Sequence, residues 1–164
     1  MSLLPIVTYG HESLTKKTAT VTDFDESLSN LVAAMLETMH QSNGVGLAAP
    51  QVDVIKKFFV CHVTNDVPRV FVNPQIINTS LETGPYEEGC LSIPGVWAEI
   101  TRPLGVSVQA WDQKGKLFRL DAEGLLARVI QHEMDHLNGI LFIDKLPEKK
   151  RGRLLQMYMK KMRA

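Results

Sequence analysis

Apolar positions recur at two different periods along this chain, and the change of period divides it into three regions. Between residues 26 and 41, Leu28, Leu31, Val32, Met35, Leu36 and Met39 are spaced by three and four, which lays them along one side of an amphipathic helix. Asp23, Asp25 and Glu26 lie at its start, where the positive end of the helix dipole favours acids. A second helical pattern spans about 123–137. Leu125, Val129, His132 and His136 fall on one stripe, and Leu126, Ile130 and Leu137 widen it into a buried face. Asn138 and Gly139 supply its C-terminal stop. A third helix is expected after Pro147, docking through Leu154, Leu155, Tyr158, Met159 and Met162.

Between the first two helices the residues are β-branched or aromatic. FFVCHV (58–63), RVFVNP (69–74), PQIINT (74–79), GVSVQAW (105–111) and KLFRLDA (116–122) read as strands, with DQKG (112–115) as a hairpin turn. SNGVGLAAPQ (42–51) reads as a loop in which Gly44 and Gly46 allow close backbone approach. EEGCLSIPG (87–95) reads as a second Gly-flanked loop. Strands in the middle with long helices on either side predict an α+β fold. Mainly antiparallel sheets then pack around the central second helix, with one helix N-terminal and one C-terminal to them.

The 164 residues suit one domain, 1–164, able to bury roughly two thirds of its unfolded surface without a disulfide framework. No apolar run approaches the ~20 residues of a membrane span. MSLLPIVTYG lacks both the basic region and the small-residue cleavage site of a signal peptide, and is not Arg/Ser-rich like a transit peptide. A non-exported protein is therefore expected, and Cys61 and Cys90 read better as metal or catalytic residues than as a disulfide.

The net charge of zero hides an asymmetry. Lys149, Lys150, Arg151, Arg153, Lys160, Lys161 and Arg163 fall in a final stretch, 149–164, that holds no acid. The first 148 residues keep 11 basic residues against all 18 acids, a net of −7. A basic helix on an acidic body fits either contact with a polyanion such as RNA or a plain solvated face.

The second helix carries the chemistry. His132 and His136 are four apart and face the same way, and Glu133 follows the first of them. This is the H-E-x-x-H arrangement of metal-assisted hydrolysis. A third ligand is needed. A downstream histidine is excluded because its position, three after Gly139, is Phe142. The only acid some twenty residues on, Glu148, lies outside the helix beyond Pro147. Upstream, Cys90 sits where a thiolate could be presented. Cys61 falls in FFVCHV, where alternation puts Phe59, Cys61 and Val63 on one face and favours a buried core role. His11, His40 and His62 lack metal spacing. Cys90, His132 and His136 would leave one position open, unlike a closed structural zinc site, and their softness suits zinc or ferrous iron over magnesium or calcium.

GVGLAAPQ (44–51), EGCLS (88–92) and QHEMDH (131–136) resemble, in order and separation, the three signature motifs of the peptide deformylase family. YG (9–10), RP (102–103) and EGLL (123–126) extend the resemblance, which runs from about Ile6 to Leu146. It implies removal of the formyl group from the N-terminal methionine of new polypeptides, with release of formate; a bacterial cytoplasm is the expected setting, with an organelle form whose leader is already removed as the alternative. It implies Cys90, His132 and His136 as ligands of one divalent metal, natively Fe2+, with Zn2+, Ni2+ or Co2+ able to substitute. Glu133 becomes the acid/base, Gln51 and the backbone N–H of Leu91 the oxyanion donors, and Gly46 a holder of substrate backbone. Val45, Leu125 and Val129 then wall an apolar pocket for methionine, with Tyr86 and Arg128 at its rim. The C-terminal helix resembles a ribosome-docking element, and no membrane or DNA partner is expected. Arg102 and Glu88 are expected to pair and orient the EGCLS loop.

Two departures stand out. HESLT (11–15) replaces the family's usual turn after YG, and Trp97 stands where relatives often carry a basic residue. The rival readings are a metallopeptidase cutting internal bonds, which the glutamine loop and upstream cysteine disfavour, and a non-catalytic ribosome-binding protein with a structural metal, which has no use for Glu133.

Overall fold

The computed structural model describes residues 3–163; Met1 and Ser2, at the start of the expected domain, and Ala164, at the end of the expected basic helix, lie outside it. Helix α1 (Glu26–Gln41) begins where Asp25 accepts a hydrogen bond from the Leu28 backbone N–H, so the acid expected at this end is its cap. Its apolar stripe buries Leu28, Val32, Met35 and Met39. Helix α2 (Gly124–Leu137) stops at Asn138, and Gly139 follows with φ +74. A side chain at Gly139 would meet the Thr15 carbonyl oxygen at 2.6 Å, so both its backbone and its neighbour require glycine.

Seven strands form two antiparallel sheets. The first has the order β1 (Gly46–Ala48), β2 (Phe58–Cys61), β3 (Arg69–Thr79), β6 (Gly105–Trp111) and β7 (Leu117–Glu123). The second is the hairpin of β4 (Thr83–Cys90) and β5 (Ile93–Pro103). β2 shows why the first sheet sits where it does. All four of its residues are buried, because Phe59 and Cys61 face a core shared with α2 while Phe58 and Val60 face one shared with α1. Helix α2 touches strands of both sheets, which places the HExxH segment at the centre of the molecule. A third core joins β5 to Leu14, Phe142, Ile143, Leu154 and Tyr158.

Several sequence-based boundaries shift. The segments 69–74 and 74–79 form one bent strand, β3, whose pairing with β6 slips at two places. The two stretches read as loops carry strands: GVGLAAPQ holds β1 followed by a short 3-10 turn, and EEGCLSIPG is the closed end of the β4–β5 hairpin. Their glycines and prolines masked them, because neither stretch alternates. The third helix, α3 (Glu148–Arg163), buries Leu154 and Tyr158, but Met159 and Met162 are about half exposed, so its docking face is narrower than the apolar pattern. HESLT forms a 3-10 turn in which His11 Nδ1 accepts from the Ser13 N–H. The Ser13 hydroxyl donates to the Pro50 carbonyl, tying this turn to the segment that carries Gln51. Among the described residues, no helix is long and apolar enough to cross a membrane.

Candidate metal centre

Cys90 is the last residue of β4, and a register slip between Glu88 and Cys90 turns it out of the regular ladder. Its Sγ lies 3.4 Å from His136 Nε2. The ligand atoms of Cys90, His132 and His136 lie within 4.8 Å of one another, close enough to share one ion. The sulfur accepts weak contacts from the Ser92 N–H at 3.4 Å and from Gln51 Nε2 at 3.6 Å, which suit a thiolate. Cys61 is fully buried in the α2-facing core, and burial together with the nearby Glu133 charge pushes its thiol up to about 12. The small-core reading of Cys61 therefore stands, and the two cysteines are free.

His132 is oriented by Glu88, whose Oε1 lies 3.1 Å from Nδ1, leaving Nε2 toward the cluster. Burial opposes charge on this ring, but hydrogen bonds with Cys90 and Glu88 outweigh it and raise its pKa well above the usual value. The same partners that favour a proton there favour a metal cation. His136 is fully buried, and burial and the neighbouring His132 and Arg102 hold its pKa well below the usual value, so it stays neutral. A neutral imidazole is the form that ligates.

Glu88 anchors this arrangement. It accepts Arg102 Nε at 2.7 Å and Nη2 at 3.0 Å, and Arg128 Nη1 at 2.8 Å. Burial pushes the carboxyl up, but His132 and Arg102 overcome it and lower its pKa to about 2. The expected Arg102–Glu88 pair is thus present, and it extends through Arg102 Nη1 to Asp135 at 2.9 Å. Arg128, expected at the rim, lines the groove while only 7% exposed, and it bonds Glu88 and the carbonyls of Ile100 and Gly84. Nothing in the HExxH pattern signals this role; only the helical offset of four from His132 places Arg128 near Glu88.

Glu133 is buried, and its Oε1 has no hydrogen-bond partner. Burial first, and the like charges of Glu88 and Asp135 next, raise its pKa to about 7 against the pull of His132 and Arg102. Its other oxygen, Oε2, lies where a Cβ on Gly46 would collide with it, and Val129 Cγ1 would stand 2.9 Å from that Cβ. Gln51 is fully buried. Its Oε1 accepts from the Ala48 N–H at 3.0 Å, and its Nε2 donates to the Ser92 hydroxyl at 3.0 Å. That bond fixes the amide orientation, and Ser92, 0% exposed, is a site residue the sequence reading passed over although it ends the EGCLS motif.

A groove of about 460 Å³ runs over these groups. Gly46, Gln51, Cys90, Leu91, His132 and Glu133 line it, as do Val45, Leu125 and Val129 from the apolar set. His136 sits behind them, 1% exposed. Strand β1 is an edge strand, paired on one side with β2. Trp97, 58% exposed, lines the groove and packs across Gly89. The rings of His40 and His62 meet, with His62 Nδ1 2.9 Å from His40 Nε2, and the His62 N–H donates to the Val45 carbonyl. The three donors converge with one buried, orphaned carboxylate oxygen beside them, so the residues fit a divalent ion with an open side.

The pattern of the family described as polypeptide deformylase matches residues 3–152. The chain is 48% identical to the peptide deformylase of Neisseria gonorrhoeae over 156 residues, covering 94% of this chain and 93% of that one. It is 46% identical to that of Chromohalobacter salexigens over 166 residues, covering 100% and 98%. Among solved structures, it resembles peptide deformylase from Ehrlichia chaffeensis in complex with actinonin, with TM-score 0.96 at 40% identity and full coverage of both chains. It also resembles a peptide deformylase from Legionella pneumophila, with TM-score 0.94 at 40% identity, covering 99% and 96%.

Proposed function

The chain belongs to the polypeptide deformylase family, and on that premise we propose that the groove hydrolyses the formyl group from the N-terminal methionine of new polypeptides, with Glu133 as acid/base. The observation that carries this reading is the buried carboxylate of Glu133, with a pKa near neutrality, set between the Cys/His donors and the edge strand.

Water adds to the formyl carbon and the carbon–nitrogen bond breaks, leaving formate and a free amine. Glu133 takes a proton from the attacking water and returns it to the departing amine. A group with a pKa close to the working pH does both, a contribution of ~10²–10⁴ in rate. Gln51 Nε2 and the Leu91 backbone N–H face the developing oxyanion. The 3.6 Å contact from Gln51 to sulfur is the weak one an oxyanion would replace. Gly46 lets a peptide lie against β1 as an added strand, and Val45, Leu125 and Val129 take the methionine side chain. Cys90, His132 and His136 would hold a divalent cation, which would supply Lewis acidity when bound. We infer ferrous iron as the native ion, with zinc, nickel or cobalt able to substitute, because thiolate and imidazole suit these soft first-row metals.

The bacterial relatives support a bacterial cytoplasmic setting. We further propose that α3 docks on ribosomal RNA. In support, six of its seven basic side chains are exposed and the seventh, Arg151, is half-buried.

The test is formate release from formyl-Met-Ala-Ser by protein purified without oxygen, with Glu133→Ala beside it. Formate from the parent, and a loss of ~10²–10⁴ in the variant, is the expected result. No formate from a folded, iron-loaded parent overturns the proposal.

A further inference from the structure

A second pair of imidazoles converges outside the Cys90 centre. His40 lies in the last turn of α1, and His62 follows the end of β2, so their spacing along the chain carries no metal signal. The fold brings His62 Nδ1 to 2.9 Å from His40 Nε2. Their ring centroids stand 5.1 Å apart with the planes crossed at 71°; for His132 and His136 the same quantities are 5.0 Å and 67°. His62 is also oriented as a ligand is. Its Nε2 lies 3.0 Å from the Asp66 carbonyl, which can only accept. Nε2 therefore carries the proton, and Nδ1 directs a lone pair toward His40. Glu88 orients His132 in the same way, through the opposite ring nitrogen.

We propose that His40 and His62 bind a second divalent cation of the late first-row class, with copper(II) and nickel(II) favoured. Two nitrogens each ~2.0–2.1 Å from one ion stand about 2.9 Å apart at a right angle and roughly 3.3 Å apart at the tetrahedral angle. The spacing here fits the tetragonal geometry of copper(II) or nickel(II) without movement, whereas zinc needs the pair to open slightly. In the metal-free protein the same spacing is a hydrogen bond from His40 Nε2–H to His62 Nδ1. On binding, that proton moves to Nδ1 of the His40 ring and the cation takes its place. Arg69, whose charge would repel a cation, is held by both carboxylate oxygens of Asp66 at 2.7 and 3.0 Å. Among the described residues no third His, Cys or acidic donor closes on the pair, so water completes the shell; His40 is exposed and His62 half-buried. The ion ties the end of α1 to the end of β2 across the segment 42–46, which lines the groove. The His40 carbonyl accepts the Asn43 N–H at one end of that segment, and the His62 N–H donates to the Val45 carbonyl at the other. The site stands whether or not the groove deformylates peptides.

The test begins with protein whose Cys90 centre is already filled with nickel. It is dialysed against rising free Ni2+, and bound ion above the first equivalent is counted. One further equivalent should bind with half-saturation below ~100 µM. Because this ion bridges elements that are apart in the unfolded chain, the Tm should rise as it binds. His40→Ala and His62→Ala should each weaken this step at least ~10-fold and remove the Tm rise, while the first equivalent stays bound. No further ion in the parent at ~100 µM overturns the proposal. So does a second equivalent that survives in either variant, which would mark adventitious coordination by a single surface ring.

Discussion

Glu88→Gln keeps the shape of the side chain that orients His132 and removes its charge. In the parent, this carboxylate faces two arginines that are 4% and 7% exposed, together with His132. Asp135 answers part of the Arg102 charge, but Arg128 has no other ion pair among the described residues. Removing one partner of a buried pair costs about 3–5 kcal/mol. The lowering of the Glu88 pKa from 4.5 to about 2 gives an independent figure, about 3 kcal/mol at 1.36 kcal/mol per unit. For a chain of this length that corresponds to a fall in Tm of roughly 6–12 °C. The assay is calorimetry of the metal-free proteins at pH 7, so that loss of metal does not inflate the difference.

The sign of the pH dependence follows from the direction of the shift. The folded pKa is below the unfolded one, so the stabilisation is complete above about 4.5 and is lost as pH falls toward about 2. The gap between parent and Glu88→Gln should therefore be widest at neutral pH, narrow through that window, and close near pH 2. Metal affinity, measured separately by competition with a chelator, should weaken ~10–100-fold because His132 loses its orienting acceptor. A Tm difference below about 3 °C at pH 7, or a gap that stays constant on acidification, would refute the view that Glu88 holds this centre together.

Gly46→Ala should lower kcat/KM for a formyl-Met peptide by ~10² or more, since the added methyl runs into Glu133 and Val129; steady-state formate release reads it, and less than a threefold loss would show that the strand can shift aside. In folded, metal-free protein at pH 8, an alkylating reagent should label Cys90 and spare Cys61, whose buried thiol is pushed up to about 12; mass spectrometry before and after denaturation separates the two. Combined Lys149→Glu, Lys150→Glu and Arg153→Glu should cut co-sedimentation with ribosomes at low salt by ~10-fold, while Leu154 and Tyr158 keep α3 docked; unchanged pelleting removes the basic helix from any docking role.

The elements most legible in the sequence were those with an uninterrupted period. Helix α1 runs over the residues expected, and α2 begins one residue later than expected. The β6 strand matches its segment and β7 is displaced by one residue. The hairpin of β4 and β5 was missed because GPYEEGC and IPGVWAE do not alternate: their glycines and prolines serve the register slip and the turn that present Cys90. The same contrast holds at the site. His132, Glu133 and His136 can be read from helical spacing alone, whereas Gln51 and Leu91 entered through resemblance of motifs rather than through periodicity. Ser92 and the inward turn of Arg128 were not read at all, since a lone serine or arginine carries no period and its partner lies on another element.

By itself, the sequence determined that two histidines and a glutamate share one helix and that Cys90 was the better candidate for a third ligand. Those are local facts, set by the 3.6-residue period and by which residue types bind metal. Only the tertiary structure decided that a hairpin brings Cys90 to within 3.4 Å of His136, that Glu88 ties His132 to two buried arginines, and that Glu133 is dry enough to hold a pKa of about 7. Burial and long-range charge depend on which surfaces meet, and that is settled when the two sheets close around α2, not by the order of residues along any one of them.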